Sequence, residues 1–368
     1  MVGVLGILLT LLVLKAMVQE MLVPRGTRSW VARALNSAVG AVSGMPLTFL
    51  RSYRARDKWI ASAAPVSVLL QLVIYFFLII ATMAMVMYGF SDLTPGQAFY
   101  QSGSSVTTLG VVEPIDNAGV AACFIAAFLG LVVVAIFIGY LMAIYGAYGA
   151  RESQMARLAL LAGQPPWGPE IIARGHVLGR APDDVLIYDQ WIDWMGEVRL
   201  NQSVNPVVAR FRSTDPLRHW VISMLAVTDA VSLHITSEQS RPDPHALQML
   251  LESAVAMRLL AAPRQSSEHN LRLQTQMRAT LEGGPGRPAD AGLSDEDWQA
   301  GVRAMQAVGV QLPDDVDAWR DRFLAIRGFY APDAYRLAQE YYAVPAPWSG
   351  PRQPPLPTHW PALAGLQK

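Results

Sequence analysis

The chain has 368 residues, of which 52% are hydrophobic and only 16% are charged. Soluble domains usually carry about 25% charged residues, so this composition indicates that part of the chain lies outside water. The formal charges balance at zero, which argues against a nucleic-acid surface, because such surfaces need an excess of Lys and Arg.

The N-terminal segment, residues 1–23, predicts a membrane helix from Val2 to Leu22. Its first fourteen residues are uncharged. It lacks the basic start and the small-residue cleavage site of a signal peptide, so we expect the helix to be retained. Because Lys15 and Glu20 weaken its second half, two arrangements stay open: the helix spans the bilayer or lies in its interface.

Two long stretches without any Asp, Glu, Lys or Arg follow, and they are the strongest membrane signals in the chain. The first extends from Trp59 to Phe90 and the second from Ala118 to Ala150. About 20 apolar residues suffice to cross a bilayer. We therefore predict an outer helix over residues 59–90 and an inner helix over residues 118–150.

Basic residues indicate how these helices are oriented, because Lys and Arg beside membrane segments stay on the cytoplasmic side. The connector 24–58 is rich in Arg, and Arg151 and Arg157 follow the inner helix, whereas residues 91–117 contain no Lys or Arg. The pattern predicts a cell (inner) membrane protein with a cytoplasmic C-terminal domain. Within the connector, Trp30 to Leu50 predicts either an interfacial helix or a soluble connector helix.

After Arg151 the sequence predicts an all-helical cytoplasmic domain over residues 151–343. Apolar residues recur at helical spacing, which gives each segment one apolar face. The helical segments are Ile187 to Val198, Trp220 to Val231, Pro244 to Ala262, Ser294 to Val310, Asp314 to Arg327 and Asp333 to Tyr342. Residues 344–368 are rich in proline, and Pro345 to Pro361 predicts an extended tail.

The segment between the two long apolar stretches carries the most specific pattern. Thr94 and Pro95 form a helix start, with a capping hydroxyl followed by proline at the first helical position. The predicted helix 95–107 has about three turns and is too short to span a bilayer. Such a segment can enter the membrane only if its non-helical end is buried in protein or lines water. The arrangement is that of a pore loop.

The sequence from Ser105 to Gly110, Ser-Val-Thr-Thr-Leu-Gly, resembles the start of the selectivity filter in the potassium-channel superfamily, in particular its bacterial two-transmembrane pore-loop (ion channel domain) family. The signature of that family is Thr-Val-Gly-Tyr-Gly-Asp. Aligned on Gly110, the threonine is Thr108 and the valine is Leu109. Val111 takes the place of the tyrosine, Val112 of the second glycine and Glu113 of the aspartate. The resemblance covers roughly Trp59 to Arg151.

The resemblance implies an all-α membrane protein in which a two-transmembrane pore-loop module, residues 59–150, is joined to an extra N-terminal helix and a helical cytoplasmic domain. It implies a homotetramer in the lipid bilayer that conducts K⁺ or another monovalent cation. Filter carbonyls and the Thr108 hydroxyl would replace the water shell of the ion, with no other metal and no cofactor. The implied filter is residues 108–113, preceded by Thr107, and its expected site residues are Thr107, Thr108, Leu109, Gly110, Val111 and Val112.

Two departures from the signature predict an altered filter. The second glycine of the family has a backbone conformation that β-branched Val112 resists, at a cost of about 1 to 3 kcal/mol. Val111 also lacks the ring that fixes the filter to the surrounding helices. We therefore expect weak discrimination between potassium and sodium, or a pore that does not conduct.

Residues on either side of the filter are further candidates. Glu113 and Asp116, with Asp92, predict an acidic outer mouth that concentrates cations, or else solvated loop charges. On the inner helix, Gly130 and Gly139 predict a hinge or, equally, close helix packing. Phe137 is a candidate constriction of the inner vestibule.

The sequence does not support an enzyme. The six histidines are scattered without metal-ligand spacing, and no Gly-x-Gly-x-x-Gly or phosphate-binding motif is present. Glu197 to Ser213 predicts a connection between two helices, either a solvated loop or an interaction site. The alternative to a channel is a non-conducting membrane-anchored sensor or scaffold with a channel-like fold; the cytoplasmic ligand or partner is not identified.

Overall fold

A computed structural model shows an all-helical architecture. It describes residues 1–23, 53–179, 188–237, 243–263, 266–286 and 292–351, with the isolated positions 34, 37, 38 and 41. No β-strand occurs within these ranges. The chain divides into two compact units, Met1–Gly146 and Ala147–Lys368. Among the described residues, four helices are long and apolar enough to cross a membrane, which indicates a membrane protein.

The first unit contains the predicted membrane helices. They are α1 (Val2–Met21), α2 (Tyr53–Phe90), α3 (Pro95–Val106) and α4 (Asn117–Ala162), the last of which continues beyond this unit. α2 begins at Tyr53, ahead of the predicted Trp59, and α4 runs past the predicted end at Ala150. The predicted connector helix from Trp30 to Leu50 lies outside the continuously described ranges.

α1 packs along α2 through glycines at one end and polar side chains at the other. A Cβ atom added to Gly6 would lie 2.7 Å from the backbone nitrogen of Val86, closer than real Cβ atoms approach. A Cβ atom added to Gly89 would lie even closer to the backbone of Gly3. Towards the opposite end of α1, the Tyr75 hydroxyl donates a 2.6 Å hydrogen bond to Glu20 Oε2. Small residues therefore let the two backbones approach, as is common between membrane helices.

The second unit is a bundle of short helices. Those that begin in it are α5 (Gly168–Val177), α6 (Tyr188–Val204), a 3₁₀ helix (Pro206–Arg210), α7 (Trp220–Ser237), α8 (Pro244–Ala261), α9 (Ser267–Leu281), α10 (Asp295–Gln306), α11 (Val316–Arg327) and α12 (Ala331–Glu340). The predicted helices after Trp220 are all present, with ends that differ by a few residues. Ile187, where the first was expected to begin, lies outside the described residues.

α7 is the central helix of this unit, and the expectation that it has a single apolar face is wrong. It contacts α5, α8, α11 and α12, and nearly all of its residues are buried. A helix surrounded by others can be apolar on every side. This explains why α7 satisfies the length and composition of a membrane span while 89% of its most apolar window is buried inside the chain.

A buried ion pair lies at the centre of the bundle. Arg327 Nε donates to Asp229 Oδ1 of α7 at 2.9 Å, and the Tyr330 hydroxyl donates to the same oxygen at 2.7 Å. Burial lowers the pKa of Arg327, but Asp229, Tyr335 and Tyr330 together outweigh it and hold the pKa above its usual value. Burial also raises the pKa of Asp229, against the opposing effect of Arg327 and of the hydrogen bond from Tyr330. The two groups thus form a hydrogen-bonded pair inside the bundle.

The beginning of the tail is part of the core, so the expectation of an extended tail from Pro345 is wrong for its first residues. Trp348 is buried, and its indole Nε1 donates to the Asp297 carbonyl at 2.9 Å. It packs in an aromatic cluster with other buried rings, namely Trp167, Trp298, Trp319 and Phe323. Residues 347–349 form a turn with a positive φ at Trp348, and proline composition gave no sign of this anchor.

The segment from Glu197 to Ser213 is ordered and largely packed, so the solvated-loop alternative is wrong. α6 continues to Val204 and the 3₁₀ helix follows. Arg151, which is buried, donates from Nη1 to the Val208 carbonyl at 2.8 Å and from Nη2 to the Phe211 carbonyl at 2.7 Å. The segment owes its fold to these hydrogen bonds, which sequence periodicity does not reveal.

Candidate functional site

The short helix α3 begins with the capping arrangement that the sequence predicted. The Thr94 hydroxyl accepts a hydrogen bond from the Gln97 amide, and Gln97 Oε1 accepts one from the Thr94 amide at 2.9 Å. Pro95 occupies the first helical position, where its missing N–H is not needed. This capping box satisfies two backbone donors and fixes where α3 starts.

Buried polar side chains hold α3 against both long helices. Ser102 Oγ donates to the Ile80 carbonyl of α2 at 2.7 Å, and Gln101 Nε2 contacts Cys123 Sγ of α4 at 3.2 Å. At the end of α3, the Val106 carbonyl lies against Gly130 of α4: a Cβ added there would meet the Val106 carbonyl carbon at 2.9 Å and its oxygen more closely still. α3 is thus fixed between α2 and α4 within one chain.

The residues after α3 form a helix-ending turn that uses a threonine where glycine is usual. The Thr108 amide donates to the Ser105 carbonyl at 2.9 Å, and the Leu109 amide donates to the Ser104 carbonyl at 2.8 Å. This pair of bonds is a Schellman motif, whose central residue has a positive φ. That residue is Thr108, with φ of 56°. A non-glycine residue held there costs about 1 to 2 kcal/mol.

Ser104 binds the next part of the predicted filter. Besides accepting from Leu109, its carbonyl accepts from the Gly110 amide at 3.3 Å, and its hydroxyl accepts from the Val111 amide at 3.0 Å. Three successive amides of the loop are therefore tied to one buried residue of α3. Sequence reasoning missed Ser104, because a serine inside a polar helix carries no signal of this role.

Residues 107–111 of the predicted filter are all exposed, and from Val111 to Asp116 exposed and partly buried residues alternate. Leu109 is 67% exposed and Val111 is 56% exposed, and Glu113 and Ile115 also point away from the chain. The intervening residues Val112, Pro114 and Asp116 are partly buried. Val112 does not have a positive φ, as expected for a β-branched residue, whereas Gly110 does, at 68°.

The predicted ion ligand Thr108 is exposed, like Thr107 before it. Its hydroxyl donates to the Thr107 carbonyl at 2.7 Å, which leaves the hydroxyl oxygen facing outward as an acceptor. In the described parts of the chain, no group of three or more His, Cys, Asp or Glu side chains is placed to hold a metal ion. A cation at Thr108 therefore stays a prediction that depends on further copies of the chain.

The two acidic residues of the predicted outer mouth have different surroundings. Asp116 Oδ1 accepts from the Gly119 amide at 2.5 Å and from Ser91 Oγ at 3.0 Å. The bond from Gly119, at the start of α4, is the main reason that the pKa of Asp116 lies below its usual value. Asp116 thus caps α4, whereas Glu113 is exposed and free to attract cations.

The candidate residues of the inner helix also differ in their surroundings. Gly130 is buried beneath the end of α3, which is the close-packing alternative, while Gly139 is exposed and has no atom within 4 Å of an added Cβ. Phe137 is only 5% exposed, because the chain itself covers it, and this burial counts against its narrowing a vestibule. Gly130 and Gly139 as hinges stay predictions.

Comparison of the chain with models of protein families, with curated proteins and with solved structures finds no match. The functional interpretation therefore depends on the residues and geometry of this site.

Proposed function

We propose that the chain forms a homotetrameric cation channel of the potassium-channel type in a cell membrane. The observation that carries the proposal is the short capped helix α3 between two long apolar helices, followed by an exposed loop with the Thr-Thr-Leu-Gly sequence of residues 107–110. By analogy with that family, four such loops surround one axis, and cations pass passively along that axis.

The surroundings of the loop support this proposal. A helix of twelve residues crosses less than 20 Å, so a chain that enters the membrane through α3 must leave it through the loop. Backbone in that position has to be covered by protein or line water. The loop residues are exposed in the single chain, so neighbouring copies and an aqueous pore are what would cover them.

The remaining features of the proposal follow from charge and composition. The Arg-rich flanks favour an inner-membrane location with the C-terminal domain in the cytoplasm and the loop on the opposite side. The ion is K⁺ or another monovalent cation, held without a cofactor. Because Val112 does not have the conformation of the family's second glycine, we expect little preference for potassium over sodium. The proposal includes neither an enzymatic activity nor nucleic-acid binding.

Ion flux tests the proposal directly. The purified chain is reconstituted into liposomes, cation-dependent flux is measured, and reversal potentials are recorded with potassium and sodium on opposite sides. Protein-free liposomes are the control, and the mass of the detergent complex gives the number of copies. A complex with other than four copies would contradict the channel, and a strongly potassium-selective current would contradict the reasoning from Val112.

The second candidate is a membrane-anchored sensor or scaffold that has the fold but does not conduct. One observation favours it: two of the predicted filter side chains, Leu109 and Val111, are more than half exposed and offer no oxygen ligand to a cation. A tetramer without flux, in the native chain and in variants that make these side chains polar, would support the scaffold.

A further inference from the structure

Leu109 and Val111 lie where a cation filter would be expected to offer oxygen atoms, yet both side chains are apolar and more than half exposed. Thr107 and Thr108 before them and Glu113 after them are exposed polar residues. Gly110, which separates Leu109 from Val111, has a positive φ of 68° and no side chain. Leu109 and Val111 are therefore an exposed apolar pair between polar residues of the loop.

Hydrogen bonds explain why Leu109 and Val111 are on the outward side. The amides of Leu109, Gly110 and Val111 all point towards Ser104, which accepts from each of them. Ser104 is buried, and the turn at Thr108 reverses the chain over it. Turning Leu109 and Val111 inward would break these bonds and leave buried polar groups of Ser104 without the three amides, which opposes the rotation.

We propose that Leu109 and Val111 form a hydrophobic constriction at the outer end of the pore, which controls conduction by excluding water. This inference rests on the proposed function, because four copies of the loop must meet for a constriction to exist. It adds that the side chains of residues 109 and 111, and not a column of carbonyl oxygens, limit the passage of ions.

The physical basis is the hydration of the ion. A narrow apolar passage loses its water, and a cation that enters it gives up its hydration shell without receiving oxygen ligands in return. The carboxylate of Glu113, two residues further along the loop, attracts cations to the entrance but does not replace that hydration. The constriction is then closed at rest and opens only when it becomes wet.

Polar substitution tests the constriction. Leu109→Ser and Val111→Ser should each raise cation flux into liposomes by about tenfold or more, equivalent to about 1.4 kcal/mol in the barrier. The conduction should not discriminate between potassium and sodium. Ile115→Ser is the matched control, since it changes the exposed apolar side chain beyond Glu113 and should leave flux unchanged. Equal flux in the native chain and in both test variants would overturn the inference.

Cysteine chemistry separates failure of the inference from failure of the proposed function, and it avoids variants that do not fold. In a Cys123→Ser background, Leu109→Cys provides one thiol per chain. Disulfide cross-linking between copies reports that the loops meet, as the proposed function requires. In a separate, reduced sample the Leu109→Cys thiol reacts with a negatively charged methanethiosulfonate, which forms a mixed disulfide and releases methanesulfinate. This reaction should raise flux, because the added sulfonate wets the passage.

The outcomes are distinct. Cross-linking with a rise in flux supports both statements. Cross-linking without any rise in flux, either from the reagent or from Leu109→Ser, overturns the hydrophobic constriction while leaving the assembly intact. Absence of cross-linking together with absence of flux in every variant overturns the proposed channel and the constriction with it.

Discussion

Gly130→Ala is the substitution that most directly tests how α3 is held. An added Cβ would lie less than 3.0 Å from both the oxygen and the carbon of the Val106 carbonyl, which are backbone atoms and cannot rotate away. Either α3 or α4 must shift. Overpacking of this kind costs about 1 to 3 kcal/mol. The matched control is Gly139→Ala in the same helix, where an added Cβ meets nothing within 4 Å.

Alanine is otherwise the better helix former, by up to about 1 kcal/mol. Gly139→Ala should therefore keep or slightly raise stability, whereas Gly130→Ala should lower it. The chain has a single cysteine, Cys123, which contacts Gln101 of α3 and is partly buried. A thiol-reactive dye in a detergent melt thus reports when α3 separates from α4.

We expect the dye transition of Gly130→Ala to lie several degrees below that of Gly139→Ala, at about 2 to 4 °C for each kcal/mol. Liposome flux from the same two variants adds an independent reading. Equal transition temperatures would refute the contact between Val106 and Gly130. If flux nevertheless changed only in Gly130→Ala, this glycine would be acting as the predicted hinge instead.

Three further outcomes are expected. Arg327→Met leaves Asp229 buried without its guanidinium partner, and it should lower the stability of the helical domain, measured by thermal unfolding, by about 3 to 5 kcal/mol. The control is Arg336→Met, which removes an exposed ion pair and should change that stability by less than about 1 kcal/mol. Burial is the main reason that the pKa of Tyr341 is raised to about 12. Because Tyr341 ionises at lower pH in the unfolded chain, its contribution to the stability of the helical domain should be complete below about pH 10 and lost as pH rises towards 12. Tyr341→Phe should weaken that dependence of stability on pH. Glu113→Gln, compared with its parent in a conducting Leu109→Ser background, should lower cation flux by about twofold or more at low ionic strength and have little effect at high salt; equal flux at low salt would show that Glu113 does not attract the ions.

Long apolar runs and helix starts were readable from the sequence. The runs from Trp59 and Ala118 contain no charge, and the pair Thr94–Pro95 combines two independent start signals, so α2, α3 and α4 were placed nearly as observed. These features depend on neighbours in the sequence. Interactions between neighbouring residues are sufficient to form these helices, and contacts with distant parts of the fold change their positions little.

The features that were missed depend on distant partners. α9 buries only Leu273 and Met277, which is too sparse a pattern to predict a helix, and α5 is short and begins with Gly168 and a proline. The role of Trp348 requires an aromatic cluster assembled from several helices. In each case the stabilising contact lies far away in sequence, where periodicity carries no information.

The candidate site likewise has features that the local sequence suggests and features that depend on the fold. A motif predicted residues 107–112 as a filter, which stays a prediction, but it did not predict the binding of three amides by Ser104 or the exposure of Leu109 and Val111. Both follow from the positive φ of Thr108, which a β-branched residue rarely adopts. The resemblance to a glycine-rich signature gave no indication of that turn.

The central position of α7 has a consequence for biosynthesis. During translation this apolar segment emerges before Arg327 and Trp348 exist, at a time when the insertion machinery is already handling the preceding helices. A carboxylate in mid-helix opposes transfer into lipid by about 2.5 to 3.5 kcal/mol. We therefore expect Asp229 to disfavour insertion of this segment into the bilayer until Arg327, which is translated later, forms the ion pair with it. The same carboxylate would then act during biosynthesis as well as in the folded domain.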